Sequence, residues 1–97
     1  MIEILNQVFE IEQKSERENF NNFKRNIRRI YHELDELGYY LKNPLGERYT
    51  EERTDVNASL ENDIHSEMKI TKVLKPIIYK REEDGVFIVQ KGIVIVT

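Results

Sequence analysis

One stretch dominates the sequence pattern, FNNFKRNIRRIYHELDELGYYL at residues 20–41. Its apolar residues recur at alternating steps of three and four, which is the spacing of the a and d positions of a heptad repeat. The seam formed in this way consists of Phe20, Phe23, Ile27, Ile30, Leu34, Leu37 and Leu41. Proline is absent between Ile2 and Leu41, and the only glycine there is Gly38. The pattern therefore predicts one long coiled-coil helix over residues 1–43.

A helix of this length needs another helix to cover its seam. About 40 helical residues span about 60 Å, which exceeds any globule that the rest of the chain could form. The chain holds no second helical segment of similar length. The sequence therefore predicts a homodimer whose interface comprises the six seam residues from Phe20 to Leu37. The alternative is that the helix lies on the C-terminal part of its own chain and has part of its seam covered there.

The C-terminal part, residues 44–97, changes from helical to alternating spacing. Pro44 and Gly46 end the helix. Residues 56–60 then alternate between apolar and polar side chains, which predicts a first strand. A turn is expected at residues 61–63 because their side chains are polar and because asparagine and aspartate are common in turns.

Further strands follow this turn. Residues 68–79 are rich in branched side chains, and Pro76 predicts an edge or a bulge within them. Residues 82–85 form a hairpin loop that leads to a strand at residues 86–89, and residues 93–96 form the last strand. The predicted fold class is α+β, with a long N-terminal coiled-coil helix followed by a small all-β module of four to five short strands at residues 44–97.

Composition excludes several classes of protein. The chain has 97 residues, no cysteine and a formal net charge of −3, so disulfides and cysteine-based zinc sites are excluded. No apolar run approaches the ~20 residues of a membrane span. Glutamates at positions 3, 10 and 12 argue against a signal peptide. We therefore expect a cytoplasmic protein with no membrane partner.

Residues suited to catalysis are sparse and scattered. His32 falls outside the seam, and His65 has no acidic residue at a spacing that suggests a catalytic triad. The four glycines stand far apart, so no loop is suited to cradle a phosphate. We expect neither an enzyme nor a cofactor or metal site.

A basic patch on the predicted helix offers a different kind of function. Lys24, Arg25, Arg28 and Arg29 fall outside the seam and could bind nucleic-acid phosphates. Charged residues on the outer faces of a helix are ordinary, however, and Arg29 is placed to pair with Glu33 four residues later. Since the chain is acidic overall, nucleic acid is not the expected partner, and this function stays an alternative.

Residues 18–25 resemble the helix signature of GrpE, the nucleotide exchange factor of DnaK-type heat-shock chaperones. In this family an apolar residue, an acid or amide, an asparagine and an aromatic residue precede a basic run. The matching positions here are Phe20, Asn22, Phe23, Lys24 and Arg25, with Arg28 close behind.

The C-terminal half resembles the same family in the order and spacing of its motifs. The matching positions are Leu37-Gly38, Gly46, Tyr49, Thr54-Asp55-Val56, Val73-Leu74, Tyr79, Gly85 and Ile88 to Val96. The chain differs in lacking the middle helical segment that forms a four-helix bundle in the family's dimer. Ile78 stands where the family has the glycine of a Gly-Tyr pair, and the closing strand lacks the family's arginine and proline.

The resemblance implies a co-chaperone that binds the nucleotide-binding domain of a DnaK-type chaperone and promotes ADP release. The residues that it implies for contact with the chaperone are Tyr49, Asp55, Lys75, Tyr79, Val86, Gln90 and Val96. An adaptor or assembly protein whose β module adds an edge strand to a peptide partner is a further alternative.

Overall fold

The computed structural model describes residues 1–61 and 63–97, and within them the chain is an α+β protein. The turn predicted at residues 61–63 includes Asn62, which lies outside the described residues. The elements are α1 (Ile2–Arg17), α2 (Lys24–Glu36), β1 (Tyr39–Lys42), β2 (Val56–Leu60), β3 (Ile70–Lys75), β4 (Ile77–Glu82), β5 (Gly85–Gln90) and β6 (Gly92–Val96). Neither described helix is long and apolar enough to cross a membrane.

The prediction of one long coiled-coil helix is wrong, because the helix ends at Arg17 and a new one begins at Lys24. Asn19 adopts a left-handed backbone conformation with φ of 54°, and asparagine tolerates this conformation better than most residues. The Phe20 amide donates to the Ser15 carbonyl at 2.8 Å, which closes the end of α1. The chain therefore reverses, and the two helices pack on each other as a hairpin.

The fold covers part of the seam within one chain. Ile27 and Leu34 are only 5% and 6% exposed, and Leu34 packs with Leu5 of α1 and Ile78 of β4. The other seam positions of α2 remain open to solvent. Phe23, Ile30 and Leu37 are 50%, 41% and 54% exposed, and Phe20 in the turn is 40% exposed. The contact of Leu34 with Ile78 agrees with the alternative of a helix lying on the C-terminal part of its own chain, whereas its contact with Leu5 of α1 was not predicted.

The end of the segment expected to be helical is a strand. Gly38 has φ of 91°, a conformation that glycine adopts without strain and that commonly ends helices. The next residues form β1, which pairs antiparallel with β4 so that Leu41 lies opposite Ile78. Leu41, placed in the seam by spacing alone, therefore packs in the core between the sheet and the helices.

The strands form two three-stranded sheets. The first sheet has the order β1-β4-β5 and is antiparallel, and the second has the order β2-β6-β3, in which β2 is parallel to β6. Pro76 separates β3 from β4 at the point where the chain passes from one sheet to the other. The prediction was an edge or a bulge within one segment, whereas Pro76 separates two strands, since proline cannot donate to a strand ladder. Among the described residues, the module at residues 44–97 has five strands, β2 to β6, in agreement with the predicted four to five, and β1 is an additional strand in the segment expected to be helical.

The second sheet has its own core, to which Ile77 of β4 also contributes. Its buried members are Val56, Met68, Ile70, Ile77, Val94 and Val96. Gly92 is buried at the start of β6, where a Cβ atom would lie 3.0 Å from Cγ1 of Ile77 and 3.2 Å from Cγ1 of Val56. The absence of a side chain at Gly92 therefore lets β6 approach the junction of the two sheets.

Candidate protein-binding surface

β5 is an edge strand with an unusually apolar surface. The hairpin that joins it to β4 closes with Glu82 paired to Gly85, as the sequence predicted. Four consecutive large apolar residues follow, and Val86, Phe87, Ile88 and Val89 are 52%, 46%, 41% and 39% exposed. Proteins usually protect such edges with charges or bulges, because an open apolar edge pairs readily with another chain. β5 is therefore the first candidate for contact with a partner.

The strand pairing extends this apolar surface across the first sheet. Tyr40 of β1 lies opposite Tyr79 of β4, and Tyr79 lies opposite Ile88 of β5. Residues paired in this way share one face of the sheet, which here is the face opposite Ile78 and the helices. The rings of Tyr40 and Tyr79 stack with centroids 5.1 Å apart and an angle of 17° between their planes. We call Tyr40, Tyr79 and Ile88, together with Val86 on the same face, the aromatic row.

Arg81 holds one end of the aromatic row against the helices. Its guanidinium lies 5.0 Å from the centre of the Tyr40 ring, a distance suited to a cation–π interaction. It also pairs with the Asp35 carboxylate and donates to the Asp35 carbonyl near the end of α2. The position of the Tyr40 ring is thus coupled to the C-terminal end of α2.

A cluster of ion pairs lies in the loop before β2. The Arg53 guanidinium donates to both carboxylate oxygens of Asp55, at 3.0 and 2.9 Å, and to Glu47 at 3.1 Å. It also donates to the Arg48 carbonyl at 3.0 Å, and its side chain is only 17% exposed. Lys42 adds a longer contact to Glu47 at 3.5 Å. We call Lys42, Glu47, Arg53 and Asp55 the ion cluster.

The ion cluster lowers the pKa of Asp55 and contributes to the pKa of Tyr79. The hydrogen bonds from Arg53 lower the pKa of Asp55, although partial burial acts in the opposite direction. The pKa of the Tyr79 hydroxyl is raised, mainly by burial, with Lys42 opposing the shift and Asp55 adding to it. Tyr79 therefore keeps its proton at neutral pH and offers a donor where the aromatic row approaches the ion cluster.

Three of the residues implied for chaperone contact lie on or beside this surface. Tyr79 and Val86 belong to the aromatic row, and Asp55 belongs to the ion cluster. Tyr40 was not predicted as a surface residue, because its segment was expected to be helical. The ion pairs of Arg53 were not predicted either. The pair Tyr39-Tyr40 after a helix-ending glycine is the signal that could have indicated a strand.

The other four residues implied for chaperone contact lie elsewhere. Tyr49 packs against the core of the second sheet, and Val96 is fully buried in that core. Lys75 is exposed at the end of β3. The Gln90 side chain is bonded to Asn6 and to the Pro76 carbonyl.

The residues considered for other chemistry are dispersed. Arg29 pairs with Glu33 at 2.9 Å, as predicted, on an exposed face of α2. His32 lies 3.6 Å from Glu36, and Nδ1 of His65 accepts from the Glu67 amide at 3.2 Å. Among the described residues, no group of histidine and carboxylate side chains is arranged to hold a metal ion.

Comparison with known proteins identifies no family for this chain. Searches against protein-family models, curated proteins and solved structures gave no match. The resemblance to GrpE therefore rests on the motifs quoted above, and it enters below as a proposal.

Proposed function

We propose that the chain is a GrpE-like co-chaperone, which binds the nucleotide-binding domain of a DnaK-type chaperone and promotes ADP release. The observation that carries the proposal is the aromatic row, in which the half-buried rings of Tyr40 and Tyr79 adjoin the exposed apolar side chains of the edge strand β5. Two residues that the resemblance implies for chaperone contact, Tyr79 and Val86, lie in this row. The resemblance and the surface thus coincide at these two residues, whereas four of the seven implied residues lie elsewhere.

The composition of this surface suits a folded protein as partner. Protein interfaces combine an apolar centre with a polar rim, and tyrosine and arginine are enriched among the residues that contribute most to affinity. Val86 and Ile88 supply the apolar centre, while Arg81 and the ion cluster supply charged groups at its margins. Tyr79 contributes a ring and a protonated hydroxyl between them.

The proposed mechanism needs no covalent chemistry and no cofactor held by this chain. An exchange factor acts by binding the open form of the nucleotide-binding domain more tightly than the closed form, so that the affinity for ADP falls. The same coupling requires ADP to weaken the binding of the factor by an equal ratio. The protein acts in the cytoplasm under this proposal, together with its chaperone.

We also propose that the chain forms a homodimer, but through its helical hairpin and not through a coiled coil. Seven-residue spacing places Phe23, Ile30 and Leu37 in one exposed stripe along α2 and its two capping residues, and it places Ile4 and Ile11 in another on α1. Ile11, Phe20 and Phe23 line the same shallow groove, so the two stripes meet at the tip of the hairpin. An exposed apolar surface of this extent is typical of an interface, and pairing of two hairpins would bury it.

Calorimetric titration of the chain against the isolated nucleotide-binding domain of the host's DnaK-type chaperone tests the proposal. Ile88→Asp introduces a charge at the apolar centre of the aromatic row and should therefore weaken binding at least tenfold. A tenfold loss of affinity corresponds to roughly 1.4 kcal/mol of binding free energy. Leu60→Asp is the matched control, because Leu60 is similarly exposed on β2 of the other sheet. Saturating ADP should weaken the binding of the unaltered chain. Equal affinity of both variants and of the unaltered chain would contradict the proposed surface.

The open outer edge of β5 also favours a second function, that of an adaptor. An extended peptide could add a strand there through backbone hydrogen bonds. An adaptor would bind its partner without changing nucleotide release from a chaperone, so the two functions give different results in an exchange assay.

A further inference from the structure

A second open strand edge lies on the other sheet, next to α1. β3 is an outer strand of the second sheet, and the loop after β1 covers only its first residue. The Ile70 amide donates to Glu47 at 2.9 Å, and the Gly46 amide donates to Ile70 at 2.8 Å. Lys72, Val73 and Lys75 pair with β6 on the inner side, and within residues 1–61 and 63–97 no backbone group outside β6 is bonded to residues 72–75. The outer edge of this half of β3 is therefore free to pair.

A groove with an apolar floor runs between this edge and α1. Its volume is about 310 Å³, at the lower end of the range of about 300–1,000 Å³ that is typical of ligand pockets. Phe9 is 2% exposed and forms the base, and Leu45 and Leu74 are 53% and 48% exposed along the sides. The groove thus offers an apolar contact directly beside unpaired backbone groups.

The rim of the groove is basic. Lys14 and Arg17 line it on α1, and Lys72 lines it on β3. None of these three cations forms an ion pair with a described residue, whereas Arg29, Arg53 and Arg81 all do. Glu10 is the single carboxylate among the lining residues. The groove therefore carries an uncompensated positive charge, although the whole chain has a net charge of −3.

We propose that this groove binds an acidic, extended segment of a protein partner, which adds a strand to the free half of β3. Backbone hydrogen bonds to residues 72–75 would fix the direction of the segment. An apolar side chain of the segment would contact Phe9 and Leu74, and its carboxylates would lie near Lys14 and Arg17. A peptide fits better than a nucleic acid because only a peptide pairs with a strand edge, and no exposed aromatic ring lines the groove for a base to stack on.

The groove is separate from the surface proposed to bind the chaperone. The groove belongs to the second sheet and to α1, whereas the aromatic row belongs to the first sheet. Binding to the groove can therefore be measured without the chaperone, and either result leaves the exchange proposal unaffected.

Fluorescence anisotropy with a labelled short peptide, in which valine alternates with glutamate, tests the groove. Lys72→Glu and Arg17→Glu should each weaken binding by roughly tenfold, because each replaces an attractive charge at the rim by a repulsive one. Lys91→Glu makes the same change of net charge at an exposed position between β5 and β6, and it should leave the affinity within about twofold. All three positions are exposed, so thermal unfolding should be nearly unchanged.

Two further probes separate the proposed mode of binding from simple charge attraction. A peptide of the same sequence with alternate backbone amides methylated keeps its charge but loses its donors, and it should bind at least tenfold more weakly. A single-stranded oligonucleotide should bind more weakly than the peptide. The inference is overturned if Lys91→Glu weakens binding as much as Lys72→Glu, if the methylated peptide binds equally well, or if the oligonucleotide binds more tightly.

Discussion

Asn6 and Gln90 are separated by 84 residues and exchange two side-chain hydrogen bonds. The Asn6 amide donates to Gln90 at 2.8 Å, and the Gln90 amide donates back at 2.9 Å and also to the Pro76 carbonyl at 2.9 Å. Asn6 is only 7% exposed. This amide pair joins α1 to the end of β5 and to the proline between the two sheets, so it connects the helical hairpin with both sheets.

Removal of either amide should destabilise the whole chain. Asn6→Ala leaves the half-buried Gln90 side chain short of a partner, and we expect the free energy of unfolding to fall by about 1–3 kcal/mol. Gln7→Ala changes the exposed neighbour on the same helix and should alter it by less than about 0.5 kcal/mol. Urea unfolding of both variants, of Gln90→Ala and of the double variant measures the coupling. Additive effects of Asn6→Ala and Gln90→Ala would contradict a direct interaction.

A side chain at Gly92 should destabilise the fold. In Gly92→Ala the new methyl group would lie 3.0 Å from Cγ1 of Ile77 and 3.2 Å from Cγ1 of Val56, so the fold should lose about 1–3 kcal/mol through overpacking. Val56→Ala removes one of the two clashing atoms. The double variant should therefore lose less stability in thermal unfolding than the sum of the two single changes, and a simple sum would show that the start of β6 shifts to relieve the contact.

The ion cluster predicts the dependence of stability on acid. Because Arg53 lowers the pKa of Asp55 in the folded chain, this carboxylate stabilises the fold at pH values above its unfolded pKa of about 4. The contribution is lost as the pH falls through the lower folded value. Asp55→Asn should cost about 1–3 kcal/mol at neutral pH, and the difference from the unaltered chain should shrink below about pH 4.

The control for this prediction is Asp84→Asn, which changes an exposed aspartate in the hairpin loop between β4 and β5. Denaturant unfolding at a series of pH values measures both variants. A difference between Asp55→Asn and the unaltered chain that stays constant from neutral pH to pH 3 would contradict the assigned role of the carboxylate.

The buried and the exposed positions of the seam should respond differently to the introduction of a charge. Leu34→Asp places a carboxylate in the core between the hairpin and Ile78, which costs several kcal/mol and should unfold the chain. Ile30→Asp changes a side chain that is 41% exposed, so the fold should survive and the proposed association of two copies should be lost. Light scattering and circular dichroism together separate these outcomes. An unchanged mass of folded Ile30→Asp, equal to that of the unaltered chain, would exclude the exposed stripe as an interface.

The sequence predicted the strands better than it predicted the helices. Alternation from Val56 to Leu60 and the loop at residues 82–85 both agree with the structure. The helix break was missed although Asn19, Asn21 and Asn22 lie within four residues, a composition that favours a turn. Steps of three and four describe any amphipathic helix, so the seam could not reveal whether a second chain or a sheet of the same chain covers it.

The candidate surface could be predicted only in part, for a related reason. Tyr79 and Val86 are implied by the resemblance to GrpE, but the stacking of Tyr40 on Tyr79 depends on the register of β1 against β4. Residues distant in sequence set that register, because burial of Leu41 and Ile78 on the other face determines which residues lie opposite each other. Local patterns contain no such information, and the pairing of Asn6 with Gln90 was hidden for the same reason.

Release of a fluorescent ADP analogue from the host's DnaK-type chaperone, followed by stopped flow, tests the central claim most directly. The unaltered chain should accelerate release, Leu60→Asp should accelerate it equally, and Ile88→Asp should have lost most of the effect at the same concentration. Release that stays at the rate of the chaperone alone, although the chain binds, would contradict exchange activity and favour the adaptor function.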